Sequence, residues 1–445
     1  MTDLVNAADE LPVEPAPAPL SPKEARRAVA AASVGNALEF YDFITFAFFA
    51  IQIGHAFFPT GNAFLSLMAA LATFGAGFIT RPLGAYILGG YADRVGRKPA
   101  MLLSMTLMGV AIAVLALTPS YATIGIAAPI IAIIARMAQG FALGGEVGSA
   151  TTYMLESATV ERRGFMISWQ GATQQIAASA GALVGLTLAH FLTPGELDSY
   201  GWRIALLIGV VIVPFGLMIR RSLPETLNRH DPLPVVHEGF RSYRKIVILG
   251  FMIIAQGTIT TYIFQYMATF GQATLHLSTA VSMTAEFANN AIGFFTILLG
   301  GWLSDRYGRR VVMILPQLMF AFSIIPCFLW LTGERSASSF IWSNLILSAL
   351  SNALYGAFYA ALAESLPRRV RARVFALVYS IPVAVFGGTT QLVVTWLLHV
   401  TGSSMSIAWY LVVMSIIGLI AMLMMPESAP VKLRQQPDAL NPALI

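Results

Sequence analysis

Twelve runs of apolar residues, each roughly 17 to 30 residues long, follow one another at 33–56, 64–88, 99–117, 122–153, 164–192, 203–219, 246–272, 280–301, 311–332, 339–364, 372–400 and 404–425; a helix needs ~20 residues to cross a bilayer core. That pattern implies an all-α integral membrane protein with twelve transmembrane helices. Composition agrees: 57% of the 445 residues are hydrophobic and 11% are charged, and the mean hydropathy of +0.71 lies outside the range of soluble domains. The 37 glycines suit membrane helices, where small residues let backbones approach. A single cysteine, Cys327, excludes an intrachain disulfide and a cysteine metal cluster.

The cations fix an orientation. Of the 27 Lys and Arg, 23 fall in the N-terminal arm, after spans 2, 4, 8 and 10, between spans 6 and 7, and in the C-terminal tail. These segments all lie on one side of a twelve-span chain. By the positive-inside rule that side is cytoplasmic, so both termini are expected there and a multi-pass protein of the cytoplasmic (inner) membrane is implied. The basic balance is therefore topology, and no nucleic-acid partner is implied. The first 22 residues carry acids and five prolines with no basic start or apolar core, which reads as a disordered tail rather than a signal peptide.

An internal repeat divides the chain. GGYADRVGRK begins at Gly89 and GGWLSDRYGRR at Gly300; setting Gly89 on Gly301 aligns Asp93 with Asp305, Arg94 with Arg306 and Arg97 with Arg309 at an offset of 212. Glu156 and Glu364 recur in similar surroundings after spans 4 and 10, offset by 208, and Glu225 and Glu427 after spans 6 and 12, offset by 202. Three pairs in the same order mark a duplication. The expected organisation is a tail at 1–30, a six-helix half at 31–220, a cytoplasmic linker at 221–245, a second half at 246–426 and a tail at 427–445.

The doubled GGYADRVGRK resembles the signature loop of the major facilitator superfamily, over residues 30–428. LEFYDF, RPLGA, RMAQGFALGGEVGSA, SWQGATQQIA and GWRI are similar to the metabolite:proton symporters, and RRSLPET, ALAESLPRRVR and AVFGG resemble the citrate-proton symporter branch. The resemblance implies the major facilitator fold and proton-coupled symport of a small organic anion, citrate or a related di- or tricarboxylate, by alternating access. It also implies that Asp93, Arg94 and Arg97, with Asp305, Arg306 and Arg309, form gating pairs that close the cytoplasmic side. No cofactor is expected, the proton gradient supplying the drive, and the partners are the anion, protons and the bilayer around a monomer. Neither GxxxxGK[ST] nor HExxH occurs, so a nucleotide motor and a helical zinc protease are excluded and no metal site or enzyme is expected.

Ionisable residues inside a membrane are costly and mark function by default. Arg136 lies about twelve residues, or ~18 Å, into span 4, near the midplane, with Gln139 and Glu146 on the same face. Span 1 offers Asn36, Glu39 and Asp42 at three-residue steps, acids able to pair with Arg136 or Arg81. A buried acid whose proton affinity differs between states is the physical minimum for proton coupling, which makes Asp42, Glu39 and Glu286 the proton candidates. Arg81, next to Pro82, and Glu146 read as structural or coupling residues. The expected substrate set is Arg136, Gln139, Gln170, Gln174 and Asn36 from the first half, and Tyr262, Gln265, Asn352 and Tyr355 from the second. Each also fits a purely structural role as an ion pair or interhelical hydrogen bond. Two other functions stay open: symport of a zwitterionic osmolyte such as betaine or proline, and a receptor that binds without translocating.

Overall fold

The computed structural model describes residues 37, 40–41, 44–95, 97–144, 158–221, 243–366 and 371–433. Each of the twelve expected spans is helical there, and the described residues contain no strand. Span 1 ends in α1 (Ala50–Phe57). Span 2 comprises α2 (Ala63–Ile79) and α3 (Arg81–Val95), spans 3 and 4 are α4 (Arg97–Leu117) and α5 (Ala127–Leu143), and spans 5 and 6 are α6 (Arg163–Phe191) and α7 (Trp202–Arg221). The second half holds α8 (Arg244–Ala273), α9 (Thr279–Tyr307), α10 (Arg309–Glu334), then α11 (Ala337–Ala353) with α12 (Tyr355–Glu364). Span 11 joins α13 (Arg371–Pro382) to α14 (Gly388–Thr401) through a π turn at Val383–Gly387, and α15 (Met405–Met424) is the last span. Most of the expected linker and both expected tails lie largely outside the described residues.

Local chemistry starts and stops these helices. The Asn62 side chain accepts from the Phe64 and Leu65 backbone N–H groups to open α2, and Ser278 caps α9 through Val281. Span 8 runs six residues past its expected end, to Tyr307. GGWLSDRY is therefore the last two turns of α9, and the sharp turn falls on Gly308 alone, at φ 103°. Asp93 likewise lies within α3.

Gly300 and Gly301 are thereby freed for close helix contact. A Cβ on Gly300 would collide with the Ala353 carbonyl, and one on Gly356 would lie 2.7 Å from the Gly301 nitrogen. The first half repeats this crossing between its own second and fourth spans, where Gly140 lies against the Gly77 carbonyl and Gly84 against that of Phe141. Lipid tails supply no hydrophobic drive between helices, so such backbone contact is what holds them. The halves meet along α6 against α9 and along α2 against α14, where Gly75 abuts Gly388. Large side chains such as Phe191 and Phe322 are 77% and 79% exposed, as lipid-facing positions should be. A Gly140→Val substitution forces α2 and α5 apart and should cost about 1–3 kcal/mol. Thermal unfolding in detergent checks this, with Gly61→Ala, which meets no neighbour but has φ 75°, as a milder comparison.

Candidate functional site

A cavity of about 90 Å³ lies between the halves. The first half contributes Arg81 from the start of α3 and Gln174 and Gln175 from α6; the second contributes Tyr262 and Gln265 from α8, Asn289 and Asn290 from α9, and Asn352 and Tyr355 from the junction of α11 and α12. Tyr359 and Tyr379 complete an aromatic side, with Tyr355 and Tyr359 stacked at 6.0 Å and Tyr379 6.4 Å from Tyr359. The Tyr355 hydroxyl donates to the Gly257 carbonyl at 2.9 Å, which fixes its ring. A side-chain bond spans the cavity from half to half, Gln175 Nε2 donating to Asn352 Oδ1 at 2.6 Å. Gly293 leaves room for it, because a Cβ there would sit 2.9 Å from the Gln175 amide nitrogen.

The expected residues divide. Gln174, Tyr262, Gln265, Asn352 and Tyr355 line the cavity. Arg136 does not; it is fully buried within the first half, its guanidinium 4.5 Å from the Phe46 ring and 5.1 Å from that of Phe74, and it donates to Gln139. The cation on the cavity wall is Arg81, stacked 4.2 Å over Phe78. Gln170 is buried and lies off the wall. Glu286 is one helical turn from Asn289 on α9 and is 1% exposed. Asn36, Glu39, Asp42 and Glu146 lie outside the described residues. Gln175 and Tyr379 also line the cavity and are not among the expected substrate residues: Gln175 is the neighbour of Gln174, and Tyr379 comes from span 11, in which no polar residue was singled out.

The charged end of the bundle is closed by a network. Asp305 accepts from the backbone N–H groups of Gly164 and Phe165, each at 2.9 Å, in the first turn of α6. Those N–H groups have no partner within their helix, and a carboxylate there also meets the positive end of the helix dipole. Asp305 also accepts from Arg309 at 2.7 Å, and Arg309 reaches Glu364 through two bonds of 2.9 and 3.1 Å. Glu427 accepts from the Arg309 and Arg310 backbone N–H groups and so caps α10. Arg306 stands apart, stacked 4.0 Å over Trp302. The backbones of Asp93, Arg94 and Arg97 are helical, and their side chains lie outside the description. At the opposite end, Phe64 on α2 stacks on His399 of α14 at 3.9 Å, so an aromatic contact joins the halves there.

Comparison with known proteins gives the following. Residues 28–229 match the family model described as "Sugar (and other) transporter", and residues 287–444 the one described as "Major Facilitator Superfamily". The chain is 37% identical to a citrate-proton symporter of Klebsiella pneumoniae over 87% of its own length and 88% of the relative's. It is 33% identical to the alpha-ketoglutarate permease of Escherichia coli, covering 89% and 93%, and 30% identical to the proline/betaine transporter of that species, covering 91% and 84%. Among solved structures, the proton:xylose symporter XylE shares the fold with a TM-score of 0.74 at 15% identity, over 91% of this chain and 96% of that one.

Arg309 is fully buried and balances two carboxylates that are only 8% and 5% exposed. Replacing it with Leu leaves both acids uncompensated, which should cost about 3–5 kcal/mol. Arg306→Ala removes only an exposed stack and should leave the unfolding midpoint nearly unchanged; thermal unfolding of the two variants separates them.

Proposed function

Because the chain belongs to the major facilitator superfamily, in the branch of the citrate-proton symporters, we propose that it is a secondary active transporter carrying a small organic anion, citrate or a related di- or tricarboxylate, together with protons. The observation that carries this reading is the cavity itself: one guanidinium, Arg81, opposes a wall of neutral hydroxyls and amides, at the contact between two duplicated halves. A carboxylate accepts bonds from Arg81 and Gln175, and the planar guanidinium can hold it through two at once. Anion entry displaces the Gln175–Asn352 bond and gives the Gln175 amide N–H a substrate oxygen in place of Asn352.

Alternating access then follows from the two ends. The bonds that Asp305 accepts from the Gly164 and Phe165 backbone N–H groups hold the charged end shut, with Arg309 and Glu364 bracing Asp305 from behind, and the Phe64–His399 stack holds the opposite end. Rocking of the halves breaks one set while the other forms. Asp42, Glu39 and Glu286 are the acids assigned to proton coupling, and Arg136 with Gln139 shapes the first half behind the cavity. Transport proceeds as a monomer in the cytoplasmic membrane with both termini cytoplasmic, without cofactor or chemical conversion, driven by the proton gradient. The aromatic wall of Tyr355, Tyr359 and Tyr379 supports a second reading, a zwitterion such as betaine or proline, whose cationic group suits aromatic faces.

In vesicles with an imposed inward proton gradient, labelled citrate should accumulate and labelled betaine should not, and a protonophore should abolish the accumulation. Citrate uptake indifferent to the protonophore sinks proton coupling, and betaine uptake without citrate uptake favours the second reading. Two variants should split the kinetics. Arg81→Gln removes a charged hydrogen bond to the substrate and raises KM by about 10- to 100-fold. Asp305→Asn weakens the tie between the halves and should lower turnover while leaving substrate affinity within about twofold, since Asp305 lies off the cavity wall.

A further inference from the structure

The second-half wall of the cavity presents oxygen atoms that an anion cannot satisfy. Gln265 Oε1, Asn289 Oδ1 and Glu286 Oε2 are buried and have no hydrogen-bond partner among the described residues. The three residues are 8%, 4% and 1% exposed. They lie on adjacent turns of two neighbouring helices. Glu286 and Asn289 are one turn apart on α9, the Glu286 carboxyl group lies beside the Asn289 and Asn290 amides and the backbone of Ala268, and Ala268 is one turn from Gln265 on α8. Gln265 and Asn289 open onto the cavity that Arg81 also lines.

Buried acceptors left unpaired are costly, so a set of three calls for a shared partner. A carboxylate substrate brings more acceptors and is repelled. A single proton satisfies Glu286 and leaves the two amide oxygens as they were. A hard monovalent cation takes all three at once, because such ions bind carboxylate and amide oxygens. One carboxylate balances one positive charge, which disfavours a divalent ion. We propose that Glu286, Asn289 and Gln265 form a Na⁺ site beside the substrate cavity. This deepens the symport reading and rests on it for its role: the ion and the organic anion lie on facing walls, and each lowers the cost of burying the other. By linkage, Na⁺ then raises the affinity for the anion by the same factor that the anion raises affinity for Na⁺.

The site is tested without any organic substrate. The purified full chain in detergent is unfolded thermally in NaCl and in N-methylglucamine chloride, at matched pH and ionic strength. Saturating Na⁺ should raise the midpoint by about 3 °C or more, as a ligand of the folded state does. Glu286→Gln should abolish the shift, and Asn289→Leu and Gln265→Leu should each weaken Na⁺ affinity at least tenfold; these two report on the site if Glu286→Gln does not fold. Identical midpoints in the two salts, or a shift retained in all three variants, overturn the site. A Na⁺ shift without citrate transport keeps the site and defeats the substrate assignment. Proton-driven citrate uptake with no Na⁺ shift keeps symport and defeats the site.

Discussion

Asp305 is the residue through which the two halves are tied at the charged end. Its carboxylate belongs to the second half, yet it completes the first turn of α6 in the first half, where two backbone N–H groups would otherwise lack a partner. The same carboxylate neutralises Arg309, and Arg309 is neutralised a second time by Glu364. Gly164 has to be glycine because a Cβ would run into Arg309, Ser304 and Asp305. Opening this end leaves α6 with bare N–H groups and Asp305 with one partner fewer, so the open state needs water at that position.

The opposite end is built from different chemistry. There the halves meet through the Phe64–His399 stack, with no buried acid–base pair among the described residues; the backbone contact of Gly75 with Gly388 lies about three turns deeper, beside the cavity. One end is therefore held by directional, charge-assisted bonds and the other by contact area. Directional bonds fail abruptly as geometry departs from ideal, whereas stacked rings slide with small losses. In the proposed cycle that difference makes the charged end the more switch-like of the two.

How far the sequence foretold this follows from what each signal measures. Apolar length reports depth along a helix, and so the twelve spans were legible, whereas the doubled crossing of spans 2 with 4 and 8 with 10 emerged only from the backbone contacts. Depth does not report rotation. Arg136 is close to mid-span, but Phe46 and Phe74 close over it, while the shallower Arg81 turns onto the cavity. Gln175 was missed for Gln170 in the same way: a face assigned from i, i+4 spacing can be off by one residue, about 100° of rotation. Glu364 and Glu427 were visible as duplicated marks, but their partners, Arg309 and the start of α10, are set by tertiary packing. The glycine pair in GGWLSDRY read as a turn because glycine permits both a turn and a close crossing, and only the backbone path distinguishes them.

Duplication gave the halves one fold, and the cavity shows where they stopped being copies. The first half brings a guanidinium and donor amides to the shared surface, and the second brings hydroxyls, amide oxygens and a buried acid. Two identical donor walls would bind an anion tightly and symmetrically, with no reason to release it to one side. On the proposed reading, a donor wall facing an acceptor wall holds an anion and a cation together, and each offsets part of the other's charge in a low-dielectric membrane. Either ion alone leaves a buried charge opposite an unsatisfied wall and disfavours closure. On that reading coupling follows from which polar groups each half kept.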